Sequence, residues 1–303
     1  MLGHPFPPHL AASEPMSADS HKHFPIDQVL LNTYRSVFVN FGYAIRIAWA
    51  WILVVTTVRI GSDLIAKAFL TSETGEPAVS WNLTFLIGWL LFVPLASIAG
   101  AWHRLLRTGE RDSSFIYLRL DRLVWRYFGL AVAIFVISLL PILGIWGLGE
   151  FAEQIASMTG NASEGKTGVE VLLAPAGPAA LPIIQAVATI LIFWLTARLA
   201  VVLPGKALNL PDMSLRRAWQ VTRGHSWGLL MGMFGCIVPF LFLIGGVRGM
   251  GFKYSAVDGP FLHISEWLFV ESMAALFSLV QISFFSFCFL YFFERESGLK
   301  STN

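Results

Sequence analysis

Long apolar runs separated by short charged segments are the main pattern along this chain. Six windows are each close to the roughly 20 apolar residues that a helix needs to cross a bilayer: 41–60, 81–102, 128–149, 181–203, 227–246 and 267–293. The runs are continuous, so they predict helices and not the ten-residue alternation of an outer-membrane barrel. We therefore expect an all-α polytopic membrane protein with six transmembrane helices.

Composition supports this prediction and removes two other classes. The chain is 55% hydrophobic and 13% charged, whereas a soluble domain carries about a quarter charged residues. Its net charge of +2 and the spread of basic residues over separate loops argue against nucleic-acid binding. Cys236 and Cys288 both fall inside apolar runs, so we expect two small buried hydrophobes and neither a disulfide nor a metal pair.

The distribution of Lys and Arg predicts the orientation. Sixteen of the 21 fall in the N-terminal segment, the second and fourth connections and the C-terminal tail, and five fall on the other side. The positive-inside rule then places both termini in the cytoplasm. We divide the chain into a disordered tail (1–26) that is not a signal peptide, a membrane domain (27–295) and a second cytoplasmic tail (296–303).

Three segments share one layout, which suggests a threefold repeat of helical hairpins. Each has an Asp expected to cap a helix, an Arg-containing amphipathic stretch and a Gly that opens a span; the Asp–Gly pairs are Asp27–Gly42, Asp112–Gly129 and Asp212–Gly228. The stretches predict three amphipathic helices on the cytoplasmic face. The alternative is that any multi-span protein has Arg-rich inner loops, so duplication is a hypothesis here.

The arginines of the second and third stretches are the candidate contacts for anionic lipid headgroups or for a membrane partner. Each is worth on the order of 1 kcal/mol near an anionic surface. They are Arg119, Arg122, Arg126, Arg216, Arg217 and Arg223. We also expect Trp102 and Trp227, together with His103, to meet headgroups at the inner ends of spans.

A second candidate site consists of charged residues within or beside the spans, which in membranes are functional by default. Arg59, Asp63 and Lys67 follow each other at helical spacing, and we interpret them mainly as a ladder of ion pairs. Glu271 lies four residues inside Trp267. It is expected to pair with a basic group such as Arg248 or to line an outer vestibule.

Prolines and glycines predict bends and close helix contacts. Pro94, Pro141 and Pro239 lie in the second, third and fifth spans, where each removes a backbone donor and favours a kink. Two small-xxx-small pairs, Gly228 with Gly232 and Gly245 with Gly249, would let backbones approach.

Two motifs are interpreted as coincidences. Residues 160–167 spell the P-loop pattern, but no strand precedes them and the charge rule places them outside, so no nucleotide is predicted. The histidines of the N-terminal tail, such as His21 and His23, lack supporting carboxylates, so no metal is predicted. We expect no cofactor.

The segments 197–208 (ARLAVVLPGKAL) and 214–224 (SLRRAWQVTRG) resemble a signature of uncharacterised bacterial six-span inner-membrane proteins. These proteins are similar to the membrane domain attached to some glycerophosphoryl diester phosphodiesterases. The resemblance implies a bacterial plasma membrane and this helical layout, but no established activity. His103-Arg104 is followed by Leu105 and not by the Gly of that family's catalytic motif, so no catalytic residue is transferred.

Three functional hypotheses follow. The first is a non-enzymatic accessory or scaffold protein that contacts lipids or a membrane partner through its cytoplasmic face. The alternative is a transporter or channel for a small or lipidic solute. The third, a lipid-modifying enzyme, has no visible nucleophile or metal cluster.

Overall fold

The fold is known from a computed structural model, which describes residues 24–70, 92–158 (apart from 113, 115 and 118), 180–210, 213–249 and 260–294. These residues form helices and no strand. We number the α-helices α1 (Ile26–Val39), α2 (Phe41–Leu70), α3 (Phe92–Thr108), α4 (Arg122–Met158), α5 (Ala180–Leu199), α6 (Leu203–Ala207), α7 (Leu215–Val221), α8 (Ser226–Gly249) and α9 (Pro260–Phe289). A 3₁₀ turn (Ala200–Val202) and a π-helical turn (Leu290–Glu294) complete the described elements.

Five helices among the described residues are long and apolar enough to cross a membrane: Phe41–Ser62, Arg122–Phe151, Pro182–Ala207, Ser226–Leu243 and Leu268–Phe293. They correspond to the first, third, fourth, fifth and sixth predicted spans. Much of the second predicted span, 81–102, lies outside the described residues, which resume at Phe92 in α3. The all-helical fold is therefore confirmed, with five described helices long and apolar enough to cross a membrane, and the second predicted span (81–102) stays a prediction.

The contacts between the long helices form a cycle, with an additional contact of α3 on α9 inside it. Each packs on the next in chain order, from α2 through α3, α4, α5 and α8 to α9, and α9 returns to α2. Elements that are consecutive in the chain are usually adjacent in space. The ring order is compatible with three successive hairpins, but nothing in it establishes the repeat.

Helix α3 lies at the centre of the packing, against α2, α4, α6 and α9. Every residue from Ala96 to His103 is buried. Small side chains, among them Ala96, Ala99 and Gly100, let neighbouring helices approach on several sides. Trp102 is fully buried and His103 is 2% exposed, so the prediction that they meet headgroups is wrong.

Helix α1 packs along the beginning of α8 and against α9. A Cβ on Gly228 would lie 2.8 Å from Phe24, and one on Gly235 would lie 2.8 Å from Leu30. These glycines therefore form a groove that receives the side chains of Phe24, just before α1, and of Leu30 in α1. The buried residues of α1 include Val29, Thr33 and Val37, and its assignment as an amphipathic helix of the cytoplasmic face stays a prediction.

Pro141 and Pro239 both lie inside continuous helices, α4 and α8. Pro239 has no N–H, so the carbonyl of Gly235, four residues earlier, has no helical donor. The hydroxyl of Tyr34 donates to this carbonyl at 2.8 Å. The bond explains how α8 keeps a proline without leaving a buried acceptor unsatisfied.

Among the described glycines, Gly232 has the least room for a Cβ. A Cβ at this position would lie 2.4 Å from the ring of Phe284 on α9. The predicted pair of Gly228 and Gly232 therefore marks close packing, but aromatic side chains fill the space where we expected a second backbone. The side chains of the other predicted pair, around Gly245 and Gly249, are outside the described residues.

The predicted Asp caps are wrong where the structure describes them. Pro25 precedes α1 as its N-cap, so Asp27 lies within the first turn. Asp112 lies in an irregular segment, where its carboxylate accepts the N–H of Ser114 at 2.9 Å. The residue that caps α4 is Asp121, whose Oδ1 accepts the N–H groups of Leu123 and Val124 at 3.1 and 3.0 Å. Asp212 is outside the described residues.

The three predicted amphipathic helices therefore differ. The first is α1. In the second predicted stretch, between Gly109 and Asp121, the described residues form no helix. Ser113, Phe115 and Leu118 of this stretch are outside the described residues. The third is the short helix α7, capped by Ser214, whose Oγ accepts the N–H of Arg217 at 3.2 Å. Proteins with true duplication can diverge in this way, so the repeat stays a hypothesis.

The segment that carries the resemblance runs through the core. Residues Leu199 to Gly205 are all buried, and a Cβ on Gly205 would meet Met213 at 2.7 Å. The turn after α6 ends with Asn209 at φ 53, a left-handed conformation that Asn tolerates better than most residues. Leu210 then donates its N–H to the carbonyl of Gly205 at 2.9 Å.

Candidate functional site

The structure brings two of the predicted intramembrane charges together: Arg59 on α2 and Glu271 on α9 form an ion pair. The Arg59 side chain is 35% exposed and the Glu271 side chain is 10% exposed. The partner suggested for Glu271 was Arg248, whose side chain is not described, and the observed partner is Arg59. The side chains of Asp63 and Lys67 are also outside the described residues, so the predicted ladder is not tested.

A cavity of about 150 Å³ adjoins this ion pair. It lies between α2, α3 and α9, and both Arg59 and Glu271 line it. The remaining lining is mostly apolar, with one hydroxyl from Ser278 and one indole from Trp51. Glu271 therefore both forms an ion pair and lines a cavity, whereas the sequence predicted one arrangement or the other.

Trp51 was not singled out by the sequence. Its side chain is 7% exposed, and its indole nitrogen has no hydrogen-bond acceptor within the described part of the chain. Buried indole N–H groups usually have a partner. No local signal marks it, because a Trp inside an apolar window is ordinary in membrane helices.

The six predicted headgroup-contact arginines lie at or near the beginnings of α4 and α8 and in α7. Arg122, Arg216 and Arg223 are exposed. Arg119 pairs with Asp121, Arg126 donates to Asn209 Oδ1 at 3.4 Å, and the Arg217 guanidinium lies 5.4 Å from the ring centroid of Phe293. The set therefore contains exposed surface charges, Arg122, Arg216 and Arg223, and charges with contacts to other residues of the fold. Exposed aromatic residues adjoin them: Trp125, Trp219 and Trp227.

Arg198, at the C-terminal end of α5, is a buried arginine that the site prediction missed. It is 5% exposed, and its guanidinium lies 3.6 Å from the ring centroid of Trp219. Its Nε donates to Thr222 Oγ1 at 3.1 Å and its Nη2 donates to the carbonyl of Trp219 at 2.6 Å. Arg198 thus joins the end of α5 to α7 and orients the arginines that α7 carries.

Other arginines fix the segment between α3 and α4. Arg46 donates to the carbonyl of Asp112, Arg111 donates to Asn40 Oδ1 at 2.9 Å, and Arg104 donates to the Tyr117 hydroxyl at 2.9 Å. The first two bonds hold the irregular segment against α2 and its junction with α1, and the third connects it to α3. The positive charge at this end of the bundle is therefore partly structural.

A buried polar network joins α3 to α9. Ser286 donates its hydroxyl to the carbonyl of Ile282 at 2.9 Å, so its oxygen is left to accept the Nδ1–H of His103 at 2.6 Å. Trp102 Nε1–H donates to Ser283 at 2.6 Å in the same manner. The second imidazole nitrogen of His103 lies 3.4 Å from the Tyr127 hydroxyl.

This network is suited to packing and not to nucleophilic catalysis. The Ser286 proton points to a backbone carbonyl, so the imidazole is not placed to remove it. Within the described residues, no group of three or more His, Cys, Asp or Glu side chains could hold a metal ion. Cys236 and Cys288 are buried free thiols.

Comparison with protein-family models, curated proteins and solved structures found no match to this chain. The suggested resemblance to bacterial six-span inner-membrane proteins therefore stays a prediction. The fold and the two polar sites are known from this chain alone.

Proposed function

We propose that the protein is a non-enzymatic accessory or scaffold protein of a bacterial inner membrane. In this proposal both termini are cytoplasmic, and the arginine-bearing end of the bundle binds anionic lipid headgroups. The observation that carries it is the group of exposed arginines, Arg122, Arg216 and Arg223, flanked by exposed tryptophans at one end of an apolar bundle. Cations beside amphipathic rings match the chemistry of an anionic headgroup layer.

The packing of the bundle supports a fixed platform. Beneath the arginine-bearing end lie fully buried aromatic residues, Trp102, Phe284 and Phe289. Trp102 and His103 are bonded to serines of α9, so the two central helices are tied together.

The test removes three exposed charges for which the described part of the chain shows no hydrogen bond or ion pair. Arg122, Arg216 and Arg223 are replaced together by Gln, and Arg126 and Arg217 are kept because they contact Asn209 and Phe293. At about 1 kcal/mol for each arginine, the preference for anionic over zwitterionic lipid should fall by roughly two orders of magnitude if all three contribute. Native mass spectrometry of protein reconstituted in mixed-lipid nanodiscs measures the lipids that remain bound.

The matched control replaces the same three residues by Lys, which keeps the charge. This variant should retain anionic lipid and the loss of binding with added salt that the wild type shows. An unchanged anionic preference in the Gln variant would overturn the proposal. A stoichiometric membrane protein retained by wild type and lost in the Gln variant would instead assign the arginines to a protein partner.

The Arg59–Glu271 cavity favours a second candidate, a transporter or channel for a small or lipidic solute. Kinkable helices such as α4 and α8 are compatible with it. The replacement Glu271→Gln should then change uptake by proteoliposomes that contain the purified protein. Equal flux in wild-type, variant and protein-free vesicles across a solute panel would remove this candidate.

A further inference from the structure

Arg198 is a buried positive charge whose hydrogen bonds go to neutral groups. It lies at the C-terminal end of α5 and is 5% exposed. Its acceptors are Thr222 Oγ1 and the carbonyl of Trp219, and the ion pairs seen in the described part of the chain are elsewhere. A buried charge is costly unless a counter-charge compensates it. The electrostatics at Arg198 therefore favour an anion.

A second arginine lies next to this one. Arg223 directly follows Thr222, whose hydroxyl accepts from Arg198, in the turn after α7. Its side chain is exposed, and the two positive charges lie close enough to repel each other. The turn continues through Gly224, which has φ 88 and open space where a Cβ would be. Two guanidinium groups are therefore held near each other beside an open surface.

Both guanidinium groups have donors left for a ligand. Arg198 uses its Nε and one N–H of Nη2, and a guanidinium has further N–H groups in the same plane. The indole of Trp219, centred 3.6 Å from the guanidinium carbon, covers the face of this plane and not its edge. The Arg223 side chain has no hydrogen bond within the described residues. Forked N–H donors of this kind match the oxygens of a phosphate group.

The surface of α5 that leads to Arg198 suits an acyl chain. Val187, Leu191, Trp194 and Arg198 are spaced four, three and four residues apart, so they lie along one face of the helix. Val187 is 51% exposed and Leu191 is 40% exposed. The ring centroid of Trp194 lies 5.3 Å from the Arg198 guanidinium. A molecule with a phosphate at Arg198 would therefore meet apolar surface toward the middle of α5, which favours a lipid over a free phosphate.

We propose that Arg198 and Arg223 bind the phosphate of a phosphomonoester lipid such as phosphatidic acid, with an acyl chain along the 187–194 face of α5. Two guanidinium groups carry two positive charges, and a phosphate monoester carries about −1.5 to −2 charge near neutral pH together with strong acceptor oxygens. A phosphodiester headgroup has a single negative charge and compensates only half of the pair. The ammonium group of a zwitterionic lipid is repelled by both arginines.

This inference rests on the proposed function, because it specifies one lipid within the attraction of the arginine-bearing end for anionic headgroups. The two differ in what they recognise. Separate surface charges prefer any anionic lipid over a zwitterionic one, whereas a pair of guanidinium groups distinguishes a dianion from a monoanion. One additional charge-assisted hydrogen bond predicts a preference on the order of tenfold for phosphatidic acid over phosphatidylglycerol.

The test measures lipid retention by the full-length protein in phosphatidylcholine nanodiscs that contain equal small amounts of phosphatidic acid and phosphatidylglycerol. Native mass spectrometry of the wild type should show about tenfold more retained phosphatidic acid than phosphatidylglycerol. Arg223→Gln should bring this ratio close to one, and the variant is expected to fold because the side chain is exposed. Arg198→Lys keeps the charge but not the fork and should also lower the ratio. The thermal unfolding midpoint checks the fold of both variants.

The matched control is Arg35→Gln, which removes an exposed arginine of α1 and should leave the ratio unchanged. A wild-type ratio close to one, or the same high ratio in wild type and Arg223→Gln, would overturn the proposal. Failure of the proposed function has a different signature, because phosphatidylglycerol would then be retained no better than phosphatidylcholine. Stabilisation of the wild type by soluble glycerol phosphate, with no preference between the two anionic lipids, would assign the arginines to a free phosphate and overturn the lipid assignment.

Discussion

Tyr34 satisfies a carbonyl that Pro239 leaves without its helical donor. The carbonyl belongs to Gly235, and the bond from the Tyr34 hydroxyl is 2.8 Å long. Burial raises the pKa of Tyr34 to about 12, so the hydroxyl keeps its proton and remains a donor over the whole neutral range. The replacement Tyr34→Phe removes this donor and changes little else in shape.

The expected loss of stability follows from the cost of leaving a backbone carbonyl without a hydrogen bond. A buried acceptor left unsatisfied costs about 1–3 kcal/mol, but membrane double-mutant cycles give lower values for interhelical bonds, averaging about 0.6 kcal/mol. We therefore expect Tyr34→Phe to lower the free energy of unfolding by roughly 0.5–1.5 kcal/mol. In the background Pro239→Ala, the backbone N–H of residue 239 can bond to Gly235, so the same replacement should cost little.

A double-mutant cycle measures this dependence. Wild type, Tyr34→Phe, Pro239→Ala and the double variant are unfolded in mixed micelles with increasing dodecyl sulfate, and helix content is followed by circular dichroism. The expected result is that Pro239→Ala removes at least half of the cost of Tyr34→Phe. Equal costs in the two backgrounds would show that the Tyr34 hydroxyl stabilises the bundle by another route and would refute this reasoning.

The remaining predictions concern packing and capping. Gly232→Ala places a methyl group 2.4 Å from the ring of Phe284 and should lower the free energy of unfolding by about 1–3 kcal/mol in the same assay, whereas Gly129→Ala, with open space around its Cβ, should not. Asp121→Ala should cost about 1 kcal/mol as the loss of a helix cap, and Asp112→Ala should cost less; equal costs would contradict the assignment of the cap. Burial raises the pKa of Asp121, but the Val124 N–H and Arg119 outweigh it and hold that pKa below its ordinary value. The contribution of the cap should therefore be complete above about pH 4 and be lost as the pH falls through the lower folded pKa, which unfolding at pH 3 and pH 7 compares.

The sequence by itself determines the helical membrane architecture. Twenty consecutive apolar residues have only one stable arrangement in lipid, a helix that satisfies its own backbone, so hydropathy predicts spans without knowledge of their neighbours. The five described spans follow those windows closely. The sequence also determines that Arg122, Arg216 and Arg223 are exposed, because burial of a charged guanidinium in an apolar core is costly.

Only the tertiary structure decides which polar groups meet. The sequence identified Arg59 and Glu271 separately, but their pairing depends on the closure of the ring by α9 against α2, and no local pattern records that closure. The same applies to His103 and Trp102. Their position at the end of an apolar window suggested headgroup contact, and they are buried because α3 passes through the centre of the bundle.

The residue at which α4 begins is also decided by tertiary contacts. Asp112 and Asp121 are equally good caps by residue type, and propensity does not choose between them. Hydrogen bonds from Arg46 and Arg111 hold the segment around Asp112 against α1 and α2, so the helix begins at Arg122 and Asp121 becomes its cap. The residue type therefore determines which residues are able to cap a helix, and long-range packing determines which of them does so. The reason is that alternative helix starts differ little in free energy compared with the contacts that fix the surrounding chain.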